Sequence, residues 1–536
     1  MYFLPDEVLL QVFRHLKNDC DQVKQVCRRF YLLICEFYIS NTPLFISDKQ
    51  LQDRETYDSM VFSRRIFNKM ELNTNHMEFM ESFRRLRTIC ALKAKSITEL
   101  EWHSAKMTPS EIVLVLNFFT NLKTLKCDSW KILTEFYDER IEISASNSLK
   151  SFSLIRCDQA TKAFFIDYLP TNCLTKLETD FYCPFLISCQ SELNELSFST
   201  EEMSPEWISV PLKKLTVSLQ RYRTDGQPVL RPILQQQPNL ISLNILSCNG
   251  IFDGDDDSFI TMCNLKHLKV LKMNIDDINH IVFKSNFDKL DKLEELHIES
   301  VDGEFLPLVH DIEELSNTKL EHLKTLTIDV SHIGIPIDRI EKMGINFPKL
   351  TKLSYKCEYP LPIDKYLNNF NALTELLINY HYGQNFAEMC KNLDDTTFPL
   401  LNRVELRGFN FGSDADTNEP AFTKLVKALP NVTFMAIEIN VPLNTRLLDI
   451  NLKRLPKLKI FKDIQFIHQK ENYEKFDATC INYFLGISKN YEEFQVELKL
   501  KAIDMDLNEM INKLKTNFKV KLKRCISVIV INLQSK

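Results

Sequence analysis

Leu240-Ile-Ser-Leu243-Asn-Ile245-Leu-Ser-Cys248-Asn249 is the stretch whose reading decides the fold. It has the form L-x-x-L-x-L-x-x-C-N. On a short strand with period two, Leu243 and Ile245 face inward behind Leu240, while Ser242, Asn244 and Leu246 face out. Asn249 suits the turn that follows, because its side-chain amide can bond backbone groups nearby. One such unit buries little by itself, whereas stacked copies bury a continuous core.

The pattern recurs, with substitutions, at Ile97, Leu122, Leu149, Leu174, Leu193, Leu212, Leu240, Leu268, Leu293, Leu323, Leu350, Leu373, Leu401, Val432, Leu458 and Tyr491. These are about 16 starts at a spacing of roughly 26 residues, and the series resembles the leucine-rich repeats. Several copies are nearly superimposable in form, such as Leu212-Lys-Lys-Leu215-Thr-Val217 and Leu293-Glu-Glu-Leu296-His-Ile298. The resemblance implies an α/β solenoid over 97–536. This would be a ribonuclease-inhibitor-like horseshoe with parallel strands on the concave side and helices on the convex side.

Helical patterns fall between the starts. Thr108-Pro-Ser-Glu111 is a capping box. Pro420 is expected to open a helix, and Pro307–Leu315 and Asp504–Phe518 read as helices too. The intervals 174–193 and 193–212 are too short for a full helix, so a turn or 3₁₀ piece is expected there. Loops are expected at 250–258, 408–420 and 468–475.

The first 46 residues have another character. Leu4-Pro5-Asp6-Glu7 suits a helix start, with Pro at the first turn and acids at the positive end of the helix dipole. Val8, Leu9, Val12, Phe13 and Leu16 then share one face. Asp19 can cap a second helix that carries Val23, Val26, Cys27 and Phe30. Thr42-Pro43-Leu44-Phe45 closes the segment. In this order the residues resemble an F-box, a small all-α domain. Cys20 and Phe30 stand where that family usually has Leu and Trp, and both remain apolar. The resemblance implies docking on the Skp adaptor of a Skp–cullin–F-box ubiquitin ligase, through Leu4, Pro5, Val8, Leu9, Val12, Phe13, Leu16, Val23, Val26, Cys27 and Phe30. Residues 47–96 are expected to be a junction that seals the first repeat, with a strand in Ser63–Leu72 and a short helix from Met77 to Phe83.

Composition excludes several classes. The chain has 536 residues and only 10 glycines, where average usage would give about 37, and neither G-x-x-x-x-G-K-[ST] nor G-x-G-x-x-G occurs. A formal net charge of −6 argues against general nucleic-acid binding. Fifteen scattered cysteines without a C-x-x-C pair read as reduced thiols in a cytoplasmic or nuclear protein. The N-terminus lacks a basic signal-peptide start, and no run reaches the roughly 18 apolar residues of a membrane span. Asp253–Ser258 lacks the glycine of a calcium loop, and His381, Cys183 and Cys189 have no partners at metal spacing. No metal, cofactor or catalytic set is expected. Asn431-Val-Thr433 has the form of a glycosylation site, but Val432 reads as core.

The outward strand positions remain as the expected binding surface for a target protein. Candidates are Glu99, Glu101, His103, Glu178, Glu295, His297, Lys352, Lys356, Arg403 and Arg407, acidic early and more basic late. The sequence therefore reads as a non-catalytic substrate receptor of a ubiquitin ligase. An interaction scaffold without a ligase role and a small-ligand sensor are the alternatives.

Overall fold

The computed structural model describes residues 43–63, 66–74, 80–133, 148–169, 173–181, 187, 190–200, 208, 210–219, 230–248, 261–274, 287–300, 315–330, 337–357, 362–393, 397–409, 415–442, 450–467, 493–501, 518–524 and 528–535. The adaptor-facing positions from Leu4 to Phe30 lie outside them, as do the calcium-like Asp253–Ser258, Cys183 and Cys189. The chain divides into two compact units, 1–240 and 241–536.

In the first unit the strands are β1 (Leu44–Ser47), β2 (Lys69–Asn73), β3 (Glu99–His103), β4 (Lys106–Met107), β5 (Thr124–Asp128), β6 (Lys131–Ile132), β7 (Ser151–Ile155), β8 (Lys176–Thr179), β9 (Glu195–Thr200) and β10 (Lys214–Leu219). Apart from the small β4–β6 pair, they form one parallel series in which each strand pairs with the next. The helices are α1 (Asp48–Gln52), α2 (Arg54–Phe62), α3 (Met80–Lys93), α4 (Pro109–Leu116), α5 (Gln159–Tyr168) and α6 (Leu230–Gln236).

The second unit continues the scheme with β11 (Ser242–Cys248), β12 (Val270–Asn274), β13 (Glu295–Ser300), β14 (Thr325–Val330), β15 (Lys352–Cys357), β16 (Glu375–Gln384), β17 (Arg403–Phe409), β18 (Phe434–Pro442), β19 (Ile460–Ile467), β20 (Glu493–Lys501), β21 (Phe518–Arg524) and β22 (Val528–Ser535). Its helices are α7 (Ile337–Asn346), α8 (Ile363–Asn369), α9 (Phe386–Met389) and α10 (Ala415–Ala428). Strands β11 to β20 are parallel in sequence order.

Each repeat start read from the sequence, from Ile97 to Tyr491, lies two residues before a strand. The reason is visible in the backbone. At the second and third residues of a repeat, two successive N–H groups donate to one carbonyl of the repeat before. Lys123 and Thr124 share the Thr98 carbonyl at 2.8 and 3.0 Å, and Lys324 and Thr325 share that of Glu294 at 2.8 and 3.1 Å. Those bonds fix the register, and the L-x-L pair then points inward. Leu271, Leu296, Leu326, Leu353 and Leu376 form one in-register buried row, and Met273, Ile298, Ile328, Tyr355 and Ile378 form the next. This parallel strand-and-helix stacking is a leucine-rich-repeat solenoid.

Several expectations are corrected. The first described strand opens at Leu44, inside the segment assigned to the helical front, while the strand expected within Ser63–Leu72 is present as β2, Lys69–Asn73, in register with β3. The helix expected from Met77 to Phe83 runs over Met80–Lys93. Much of the loop expected at 408–420 is ordered instead, as the end of β17 and the start of α10. Pro420 lies inside α10 rather than at its start, so its missing N–H costs one interior bond. At the C-terminal end, β22 runs antiparallel to β20 and β21 antiparallel to β22, so the last two strands are not repeats. Thr108 does cap α4 reciprocally with Glu111, and Val432 is fully buried.

The first unit adds a device of its own. Ser104, Ser129 and Arg156, each following a strand, have φ of 58°, 60° and 57°, in the left-handed region that non-glycine residues rarely adopt. The turn brings the next residue inward, and Ala105, Trp130 and Cys157 are all buried. Trp130 donates its indole N–H to the Trp102 carbonyl at 2.7 Å, and Trp102 donates to Thr74 Oγ1 at 2.8 Å. The two indoles meet edge to face at 4.8 Å, and Phe165 and Phe152 extend the cluster.

Candidate functional site

The candidate residues sit where the repeat places them. Inward Leu100, Trp102, Leu177, Leu296, Leu353 and Val404 anchor the strands, so the alternating Glu99, Glu101, His103, Glu178, Glu295, His297, Lys352, Lys356, Arg403 and Arg407 occupy the outward row. In-register stacking then sets charges of neighbouring repeats side by side, one strand spacing apart.

In the first unit Glu101 lies between Lys69 of β2 and Lys126 of β5. Lys69 Nζ is 2.6 Å from one carboxylate oxygen, and Lys126 bonds the other. Partial burial alone would raise this carboxyl, but the two ammonium groups outweigh it and hold it at about 2. The same contacts raise the Lys69 ammonium. Glu99 shares both lysines at 3.5 and 3.8 Å. His103 Nδ1 is 3.4 Å from Asp128, whose other oxygen accepts from Arg156 Nε at 2.8 Å. The early acidity is thus largely neutralised within the surface. Lys69, Lys126, Asp128 and Arg156 were not singled out in the sequence, although outward spacing marks the first three.

In the second unit Glu294 is held between Lys269 at 2.8 Å and Lys324 at 2.6 Å, which together lower its carboxyl to about 2. His297 is 3.6 Å from Glu299, Lys352 pairs with Glu375 at 3.5 Å and Lys356 with Asp329 at 2.9 Å. Arg403 and Arg407 converge on Glu405, which they leave only 9% exposed despite its outward position. The Arg403 guanidinium also covers the Phe434 ring at 3.8 Å. Glu178, Glu295 and Lys272 have no ion-pair partner among the described residues.

Chemically this is a polar, hydrogen-bonding surface. Among the described residues no group of three or more His, Cys, Asp or Glu could hold a metal ion. Burial pushes the Cys90 and Cys263 thiols up to about 12 and Cys157 to about 11, so none of the three is a thiolate at neutral pH. Among the described residues no helix is long and apolar enough to cross a membrane.

Residues 1–43 match the F-box-like family. The chain thus carries an F-box-like segment ahead of a leucine-rich-repeat solenoid. Its F-box-like match ends one residue before β1 opens the sheet at Leu44. No curated protein matches the chain. Among solved structures, an internalin from Listeria monocytogenes is similar at 14% identity over 79% of this chain and 86% of that one, with a TM-score of 0.26. That likeness is too low to carry weight, and the fold rests on the strand register. An F-box-like segment joined directly to stacked repeats is a protein-interaction architecture, of a kind whose families are typically non-catalytic adaptors.

Proposed function

We propose that this protein is the substrate-recognition subunit of a Skp–cullin–F-box ubiquitin ligase, working in the cytoplasm or nucleus. The observation that carries the reading is the F-box-like match at residues 1–43 standing immediately before a repeat stack. The front segment docks on a Skp-type adaptor and, through it, on a cullin–RING core. The outward strand positions hold a target protein. The chain contributes proximity, raising the effective concentration of target lysines near a ubiquitin-charged enzyme, and makes no bond itself.

The test is capture of adaptor and cullin by the full chain, compared with Leu9→Ala and Phe13→Ala. These positions lie mid-stripe on the first sequence-predicted helix, and truncation of an interface anchor costs about 2–4 kcal/mol of binding. Co-capture by the wild type with loss in the variants supports the reading. A wild-type chain that brings down neither adaptor nor cullin ends it.

A further inference from the structure

Among the described residues, large exposed apolar side chains recur early in the first unit. Of the eleven among the described residues, Phe45, Phe62, Ile66 and Leu92 fall within one short stretch, and Phe62 is 77% exposed. Two of them belong to helices that pack together. Arg85 of α3 reaches back to donate to the Leu51 carbonyl at 2.7 Å and lies 5.1 Å from the Tyr57 ring of α2. Lys93, at the end of α3, donates to the Ser63 carbonyl just past α2. The helices therefore run side by side in the same direction, and Phe62 and Leu92 both stand at the C-terminal ends of the pair.

The ridge beside that seam is cationic. Arg84, Arg87 and Lys95 recur on the outer face of α3 and the turn after it, and all three are exposed. Arg84 has only Glu81, at 3.8 Å, and neither Arg87 nor Lys95 has an acidic partner among the described residues. This is unlike the strand face, where neighbouring repeats neutralise one another. Here the charge is left over beside exposed apolar groups.

We propose that the α2–α3 seam is a docking surface for an acidic protein segment, which lays apolar side chains against Phe62, Ile66 and Leu92 and carboxylates against Arg84, Arg87 and Lys95. Apolar contact supplies the attraction, and the cations select an acidic partner and fix its direction. A lipid surface fits less well. Three apolar side chains give little membrane insertion, and a chain of net charge −6 is repelled by anionic headgroups. None of these six residues belongs to the F-box-like match at 1–43, so the proposal is tested apart from adaptor docking.

The experiment selects phage-displayed random peptides on the full chain and measures an enriched peptide by fluorescence anisotropy. The expected peptides carry Asp or Glu interleaved with Leu, Ile or Phe. Phe62→Ser combined with Leu92→Ser should weaken binding at least about tenfold, as loss of two anchors does. Arg87→Glu with Lys95→Glu should weaken it too and remove its salt dependence. All four side chains are exposed, so the variants should keep the wild-type circular dichroism and unfolding midpoint. Adaptor capture by the Phe62→Ser, Leu92→Ser variant should be unchanged. Enriched peptides without carboxylates, or affinities untouched by either pair of changes, overturn the proposal. Loss of adaptor capture assigns the seam to the adaptor instead, and co-sedimentation with phosphatidylserine vesicles that both pairs abolish assigns it to lipid.

Discussion

Each of the two units is built on the same kind of backbone ladder, and they fill it differently. In the second, rows of Leu and Ile lie in register from strand to strand, so each repeat presents its neighbour with nearly the same surface. In the first, β3, β5 and β7 end in left-handed turns that swing Ala105, Trp130 and Cys157 inward, and the indole N–H groups of Trp102 and Trp130 bond the neighbouring repeat. The ladder thus specifies the repeat, and the side chains decide how firmly each repeat is tied to the next. A solenoid tied locally can vary its binding face from repeat to repeat without losing the stack.

The most damaging way to test this difference is Trp130→Ala. Removing a buried Trp costs about 3–5 kcal/mol, and the Trp102 carbonyl loses its donor, at roughly 1–3 kcal/mol if water does not replace it. Leu326→Ala, its counterpart in the second unit, empties one place in an aliphatic row at about 2–5 kcal/mol. Hydrogen exchange should show the Trp130 loss spread over β3, β5 and β7, and the Leu326 loss confined to β13–β15. Equal spread in the two variants would remove the distinction between the units.

A smaller effect is expected at Gly344, where α7 crosses α8. A Cβ there would stand 2.2 Å from the Asn369 carbonyl oxygen and 2.8 Å from its carbon. Helix propensity alone favours alanine over glycine by about 1 kcal/mol. The obstacle is backbone, however, and prising two packed helices apart costs about 1–3 kcal/mol, so the clash decides the sign. Gly344→Ala should lower the midpoint of thermal unfolding. A raised midpoint would mean that α7 and α8 are free to separate, and that this unit is looser than its aliphatic rows imply.

The repeat starts were legible because L-x-x-L-x-L is a local pattern, and the strand always follows by the same two residues. The first two strands were harder to read. Leu44–Ser47 abuts the F-box-like stretch, and Lys69–Asn73 has only Met70 and Leu72 to mark it. The antiparallel end was hidden because the direction of a strand is set by its partner, not by its own alternation. At the candidate surface, spacing put Glu101 and Arg403 on the outward row. It did not tell that Lys69 and Lys126 close on the first, or that Arg407 joins the second on Glu405. The Glu101 pairs depend on which repeats become neighbours and in what register, which no single repeat carries. The Glu405 pairs lie within β17 and depend on the rotamers chosen along one strand face.

The gentlest test compares Glu101 with Glu294, one from each unit, both held near 2 by two lysines. Each carboxyl is lowered from an ordinary value of 4.5, so the native state binds the proton less readily than the unfolded chain. The stability each contributes is therefore present above about 4.5 and is lost as pH falls toward about 2. Glu101→Gln and Glu294→Gln should each flatten that acid limb of the stability curve and leave its slope near neutral pH unchanged. Salt separates the two. The Glu101 side chain is 16% exposed and Glu294 29%, so high salt should screen most of the Glu294 contribution and spare more of that from Glu101. If salt erased both equally, the early charge network would be as loosely held as the later one, and the strand faces of the two units would differ only in which charges they carry.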